Sequence, residues 1–144
     1  MVASWHLIQK IPSLKIDVFY FKDYKDHLKD CFDRLTNYDN IRLKKWDDDL
    51  ESFKEYGLIV DSIFGFSFKG PLREEYKNLF ELLNKTKTPR VSVDVPSGWE
   101  IDGDNTNKPY TPDYNISLSN VKSCMESFSG KHYLVNYFVP PKLY

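Results

Sequence analysis

Two aspartates set in apolar runs are the side chains of this sequence best suited to chemistry. Val60-Asp61-Ser62-Ile63-Phe64-Gly65 and Ser92-Val93-Asp94-Val95-Pro96-Ser97-Gly98-Trp99 each place a carboxylate in a β-branched or aromatic stretch that closes on a glycine turn. A buried parallel strand delivers polar groups to a ligand crevice in this way. Pro96 and Gly98 turn the chain away from Asp94 and leave its carboxylate at the rim. Half desolvated there, it can serve as a general acid or base or accept a hydrogen bond from a ligand hydroxyl. The alternative is that it only fixes its own turn by bonding nearby amides. Asp61 is expected deeper, and a buried carboxylate needs a cation or several donors.

The segment between these runs, Gly65, Phe66, Ser67, Phe68, Lys69, Gly70 and Pro71, follows an expected strand and precedes an expected helix. Its amides and a helix amino terminus could face a pyrophosphate, with Lys69 as local countercharge. It is neither a G-x-G-x-x-G fingerprint nor a Walker sequence, so an ordinary strand-turn-helix joint is the competing reading. Phe66 and Phe68 could wall a ring site or simply pack. His6, His27 and His132 stand singly and read as structural or exposed. Trp99 reads as packing at its turn, and the charged run 44–49 as a solvated loop.

These groups need a frame. Apolar positions at helical spacing predict a helix over residues 2–11, closed by Pro12. Residues 14–21 read as a strand, 23–35 as a helix capped by Asp23, 41–46 as a short edge strand and 50–56 as a short helix. Residues 58–64 are the next strand. A helix then starts at Pro71 and runs to about Lys87, burying Leu72, Tyr76, Leu79, Phe80, Leu82 and Leu83. Strands follow over 91–95, 114–118 and 132–139, with a polar loop over 102–112. This alternation predicts one α/β domain over residues 1–144, a three-layer sandwich whose mostly parallel sheet carries helices on both faces.

The chain has 144 residues, 41% of them hydrophobic, enough for a real core. With 20 basic and 21 acidic residues the net charge is -1, which gives no footprint for nucleic acid or an anionic membrane. Cys31 and Cys124 are too few for a disulfide framework and lack metal-ligand spacing, so they read as reduced thiols in a cytoplasmic or organelle-matrix protein. No charged leader with an apolar run and no stretch of membrane-spanning length is seen.

The segments 61–70 and 94–99 closely resemble the two signature segments of the NAD(P)H-hydrate epimerases, the YjeF amino-terminal domain family, which includes the apolipoprotein A-I-binding protein. The resemblance continues through Phe138-Val139-Pro140-Pro141 and, more weakly, Val2-Ala3-Ser4-Trp5-His6-Leu7. Pro71 is a small departure, since relatives carry an acidic residue there. The resemblance implies a Rossmann-like fold and interconversion of the R and S forms of NADHX and NADPHX. It implies catalysis by Asp94 and Lys69, substrate contacts from residues 65–71 and Asp94, and a potassium ion on Asp61 and Ser97. It also implies a functional link to an ATP- or ADP-dependent dehydratase and a possible homodimer. In the family, the helix matching residues 2–7 follows a central strand and a loop with two asparagines, two glycines and an aspartate that touches substrate and helps hold the potassium ion. Met1 stands just after that loop. The expectation is therefore a domain lacking the family's first central strand, between the strands at 14–21 and 58–64. A mitochondrial setting stays open if a leader was lost with that segment. The alternative function is a non-catalytic binding or dimerisation module of the same fold, or an inactive fragment.

Overall fold

Parallel pairing runs through both sheets of the protein, seen in a computed structural model that describes residues 2–22, 27–47, 53–103 and 108–135. The chain divides into two compact units, Met1–Asp49 and Leu50–Tyr144. In the first, α1 (Val2–Lys10), β1 (Ile16–Tyr20), α2 (His27–Leu35) and β2 (Ile41–Lys45) form a strand-helix-strand unit preceded by a helix. β1 and β2 pair from Ile16↔Ile41 to Tyr20↔Lys45. Ile8, Leu35 and Ile41 are its buried centre, with Trp5, Leu14, Val18 and Leu43 packed around them. Each buried aliphatic side chain there contributes roughly 1.5–3 kcal/mol. Asn40 Nδ2 ties down the exit from α1 by donating to the carbonyls of Pro12 (2.8 Å) and Leu14 (2.9 Å).

Lys44 and Lys45 belong to β2, as the edge strand expected over 41–46 has it and against the solvated loop expected over 44–49. The cause lies on β1. Asp17 is buried and takes a bidentate bond from Arg42, its register partner, together with Lys44 Nζ at 2.7 Å. Those ion pairs need both basic residues extended along the strand.

The second unit carries β3 (Ile59–Asp61), β4 (Arg90–Val93), β5 (Tyr114–Leu118) and β6 (Lys131–Val135) in the order β3-β4-β5-β6. α3 (Lys77–Lys85) connects β3 to β4 and buries Leu79, Phe80, Leu82 and Leu83, as its apolar spacing predicts. A second apolar cluster, Val95, Trp99, Cys124 and Met125, packs with Ile101 and Phe128.

Several expected boundaries move. The strand expected over 58–64 stops at Asp61 because the next amides leave the ladder: Ile63 N–H donates to Asp61 Oδ1 and Phe64 N–H to Ser97 Oγ. The helix does not begin at Pro71. Arg73 is still extended (φ −68°, ψ 149°), and a single 3-10 turn, Glu74–Tyr76, leads into α3. Glu74 and Glu75 are the first residues able to face a helix amino terminus with negative charge. Of the helix expected over 50–56, residues 50–52 lie outside the described residues. The rest is a turn closed by Tyr56 N–H on Phe53 O. The 3-10 turn Ser123–Ser127 was not expected. Asp23, residues 104–107 and residues 136–144, with the end of the last expected strand, lie outside the described residues, as does the His27 side chain.

The architecture is α/β with parallel sheets. Among the described residues β1 pairs only with β2 and β3 only with β4. No described helix is long and apolar enough to cross a membrane.

Candidate active site

Asp61 ends β3 opposite Ser92 of β4, on the same face of the sheet, and is 2% exposed. Its Oδ1 accepts from Ser97 Oγ (2.5 Å) and Ile63 N–H (3.2 Å). Its Oδ2 accepts from Ser92 Oγ (2.9 Å), Ser97 N–H (2.9 Å) and the Tyr110 hydroxyl. Ser92 Oγ and the Tyr110 hydroxyl lie 2.6 Å apart, and Ser97 Oγ accepts from Phe64 N–H at 2.9 Å. Burial, and then the Asp61 charge, push the Tyr110 phenol far above its usual range, so it is a fixed donor. Five donors satisfy a carboxylate with about four lone-pair positions. Asp61 thereby binds the start of the segment after β3 to the turn after β4.

Asp94 follows β4 directly and has φ 73°, the left-handed region that a non-glycine residue enters at a cost of about 1–3 kcal/mol. Neighbouring β5 holds it there. Asp94 N–H donates to Ile116 O (2.7 Å), while Asn115 Nδ2 (3.3 Å) and Ser117 Oγ (3.4 Å) reach the Asp94 carbonyl. Ser117 in turn meets His132 Nε2 at 2.8 Å, which gives that histidine a structural role. The Asp94 side chain is 14% exposed and forms an ion pair through Oδ1 with Lys122, itself 18% exposed. Oδ1 also receives the Leu118 amide at 3.4 Å. Among the described residues Oδ2 has no partner. The carboxylate is thus more enclosed than the rim position expected from Pro96 and Gly98, yet one oxygen stays open.

The segment 65–71 is held at its two ends. Phe68 N–H closes a turn on Gly65 O (3.1 Å), and Gly70, at φ 85°, donates its amide to Glu100 Oε1 (2.7 Å). Phe68 packs on Phe64, whose ring meets Tyr76, so Phe68 is partly a packing residue. Phe66 is 66% exposed and, with Ser67, Lys69, Gly70 and Pro71, faces solvent. Lys69 makes no hydrogen bond or ion pair with the described residues. Because α3 starts at Lys77, its amino terminus does not directly follow Gly70 as the pyrophosphate reading required.

The structure joins Asp61 to Ser97, while each of Asp94 and the segment 65–71 has partners that sequence reasoning missed. Lys122 and Tyr110 sit in polar stretches without any motif. Asn115 and Ser117 did leave a trace, since two polar residues two apart on a buried strand share one face. The family model described as the YjeF-related protein N-terminus matches residues 1–124. The chain belongs to this family. Among curated relatives, an NAD(P)H-hydrate epimerase from Paramecium tetraurelia is 38% identical over 99% of this chain and 59% of its own length. One from Dictyostelium discoideum is 37% identical over 97% and 60%. One from Aedes aegypti is 42% identical over 99% and 62%. The chain therefore spans about three fifths of the length of these family members.

The potassium ion implied by the family resemblance can be weighed against the donors present. Carboxylate, hydroxyl and carbonyl oxygens are the right kind for a hard cation. In the arrangement described, however, all acceptor positions of Asp61 are taken by protein donors, so an ion there would need one of those donors to turn away.

Proposed function

We propose that this chain carries the substrate-binding and acid-base residues of an NAD(P)H-hydrate epimerase, acting on NADHX and NADPHX. The observation that carries this reading is the open Oδ2 of Asp94 at the carboxyl end of β4, beside a β3 that leads into the other signature segment, 61–70. Epimerisation inverts a ring carbon bearing both a hydroxyl and the ring nitrogen. One bond must open and close again on the opposite face, and the hydroxyl proton needs a resting place meanwhile. On this reading the hydroxyl proton passes to Asp94 Oδ2 as the carbon–nitrogen bond opens to an aldehyde, with the bonding electron pair left on the ring nitrogen. The carbonyl turns over, nitrogen adds to its other face and the oxygen takes the proton back, so atoms and electrons balance without redox chemistry or a covalent enzyme intermediate.

Gly65, Phe66, Ser67, Phe68, Lys69, Gly70 and Pro71 bind the nucleotide on this reading, with Lys69 as the countercharge for its pyrophosphate. The curated relatives' names and the exposure of Lys69 support it. Potassium on Asp61 and Ser97 stays part of the proposal on one condition: a donor now on the carboxylate, such as the Ile63 amide with its 3.2 Å bond, must turn away. No step is assigned to the ion. A homodimer, a dehydratase that consumes the S product and a cytoplasmic or mitochondrial setting complete the proposal.

Replacing Asp94 with Asn tests it. The expected result is a loss of at least about tenfold in epimerisation rate, measured by chromatographic separation of the two NADPHX epimers. Turnover equal to that of the unsubstituted chain would remove Asp94 from the chemistry.

A further inference from the structure

Lys122 lies 28 residues from Asp94 in the chain, beyond the end of β5, and no motif marks it. Its Nζ donates to Asp94 Oδ1 and, at 2.8 Å, to the Leu118 carbonyl. Two of its three N–H bonds are therefore directed, and the ammonium cannot swing freely. Both side chains of the pair are mostly buried, which strengthens the attraction over that of a surface ion pair. The turn that follows Lys122, Ser123–Ser127, is anchored because Cys124 and Met125 pack into the cluster with Trp99 and Val95.

The backbone of Asp94 is held separately by Ile116, Asn115 and Ser117. What remains adjustable is the rotation of the carboxylate. A carboxylate free to rotate offers two equivalent oxygens; one clamped through Oδ1 offers one, in a fixed direction. We propose that Lys122 is a positioning residue for the Asp94 site: with the Leu118 amide it clamps Oδ1, so that Oδ2 alone meets a ligand hydroxyl. This inference rests on the role given to Asp94 above. It adds a residue to that role and assigns the two carboxylate oxygens different tasks. Fixed geometry of this kind acts on the chemical step more than on binding.

The test is a mutant cycle in the chain as it stands: Lys122→Met, Lys122→Arg, Asp94→Asn and the double substitution Asp94→Asn with Lys122→Met. Epimerisation of NADPHX and the thermal midpoint are measured for each. Lys122→Met is expected to lower kcat at least about tenfold with KM changed less than about threefold, and Lys122→Arg to restore a large share of the lost rate. The double variant should be no slower than Asp94→Asn alone. A Lys122→Met rate within twofold of wild type overturns the proposal. So does a double variant whose loss is the product of the single losses. Lys122→Arg covers the case in which the methionine variant fails to fold. An inactive wild type would instead count against the epimerase reading. The clamp is then read from melting: a double variant as stable as the weaker single one supports it, and additive losses overturn it.

Discussion

Asp61 and Asp94 follow the same design in sequence, an acidic residue at the end of an apolar strand, and meet opposite fates in the fold. Asp61 is saturated by neutral donors, two serine hydroxyls, two amides and a phenol, with no basic side chain within hydrogen-bond reach among the described residues. Among the described residues Asp94 has one basic partner and an oxygen left over, and its φ is positive. A carboxylate with every acceptor position filled can hold two segments together and offers a ligand an oxygen only if one of its donors turns away. A carboxylate with one oxygen clamped and one open is held in place with an acceptor still to spare. The difference arises from what surrounds each strand end, because the strands themselves are neighbours in one ladder.

The contrast is most sharply challenged at Asp61. Asp61→Ala strips the acceptor from Ser92, Ser97, Ile63 and Tyr110, and each buried donor left unsatisfied costs about 1–3 kcal/mol. The expected loss is about 4 kcal/mol or more in urea unfolding, larger than that of Asp94→Asn, and it would show as failure to fold if the chain's margin is ordinary. Running the unsubstituted chain in potassium chloride and in tetramethylammonium chloride adds the ion to the same comparison. A higher midpoint in potassium that Asp61→Ala removes would mean that the saturated arrangement opens for the cation, whereas equal midpoints would keep Asp61 as a purely structural knot.

A smaller effect is expected at the turn that serves both aspartates. Gly98 has φ 86°, and a Cβ there would overlap Pro109 Cγ. Gly98→Ala should therefore cost about 2–3 kcal/mol from left-handed strain and overpacking together. It should also lower activity, because Ser97 and Asp94 flank the displaced backbone. Wild-type stability in this variant would mean that the turn relaxes easily and that the two sites are less rigidly joined than their bonds suggest.

The smallest effect lies away from both aspartates, at the opposite end of β4. Burial works against the Asp113 carboxylate, but hydrogen bonds and charge from Arg90 outweigh it, so its pKa lies below the usual 3.8. A depressed carboxyl pKa contributes stability that is fully present above the unfolded value and lost as pH falls through the folded one. The loss therefore falls below about pH 4. Asp113 is 44% exposed, so after screening the contribution stays under about 1 kcal/mol. Asp113→Asn should remove that part of the acid slope without changing the rate at neutral pH, and a change in rate would extend the reactive region to the far end of the strands.

Much of the frame was readable without coordinates because its signals are local. The strand over 114–118 lies where β-formers and turn residues predict it, and α3 buries Leu79, Phe80, Leu82 and Leu83 as their spacing demands. The same locality set the limits. Nothing near Asp61 says that Tyr110, 49 residues away, will donate to it, and nothing near Asp94 says that Lys122 will. Nor does the Gly70-Pro71 pair reveal that the helix will wait for Lys77 or that Glu100, 30 residues on, will hold the Gly70 amide. By itself the sequence determined the α/β class, the family and the two aspartates worth attention, since periodicity and motif spacing act over a few residues. Only tertiary structure decided which aspartate is sealed and which keeps an open oxygen. Burial and partner choice depend on contacts between distant segments, and those exist only once the strands have paired.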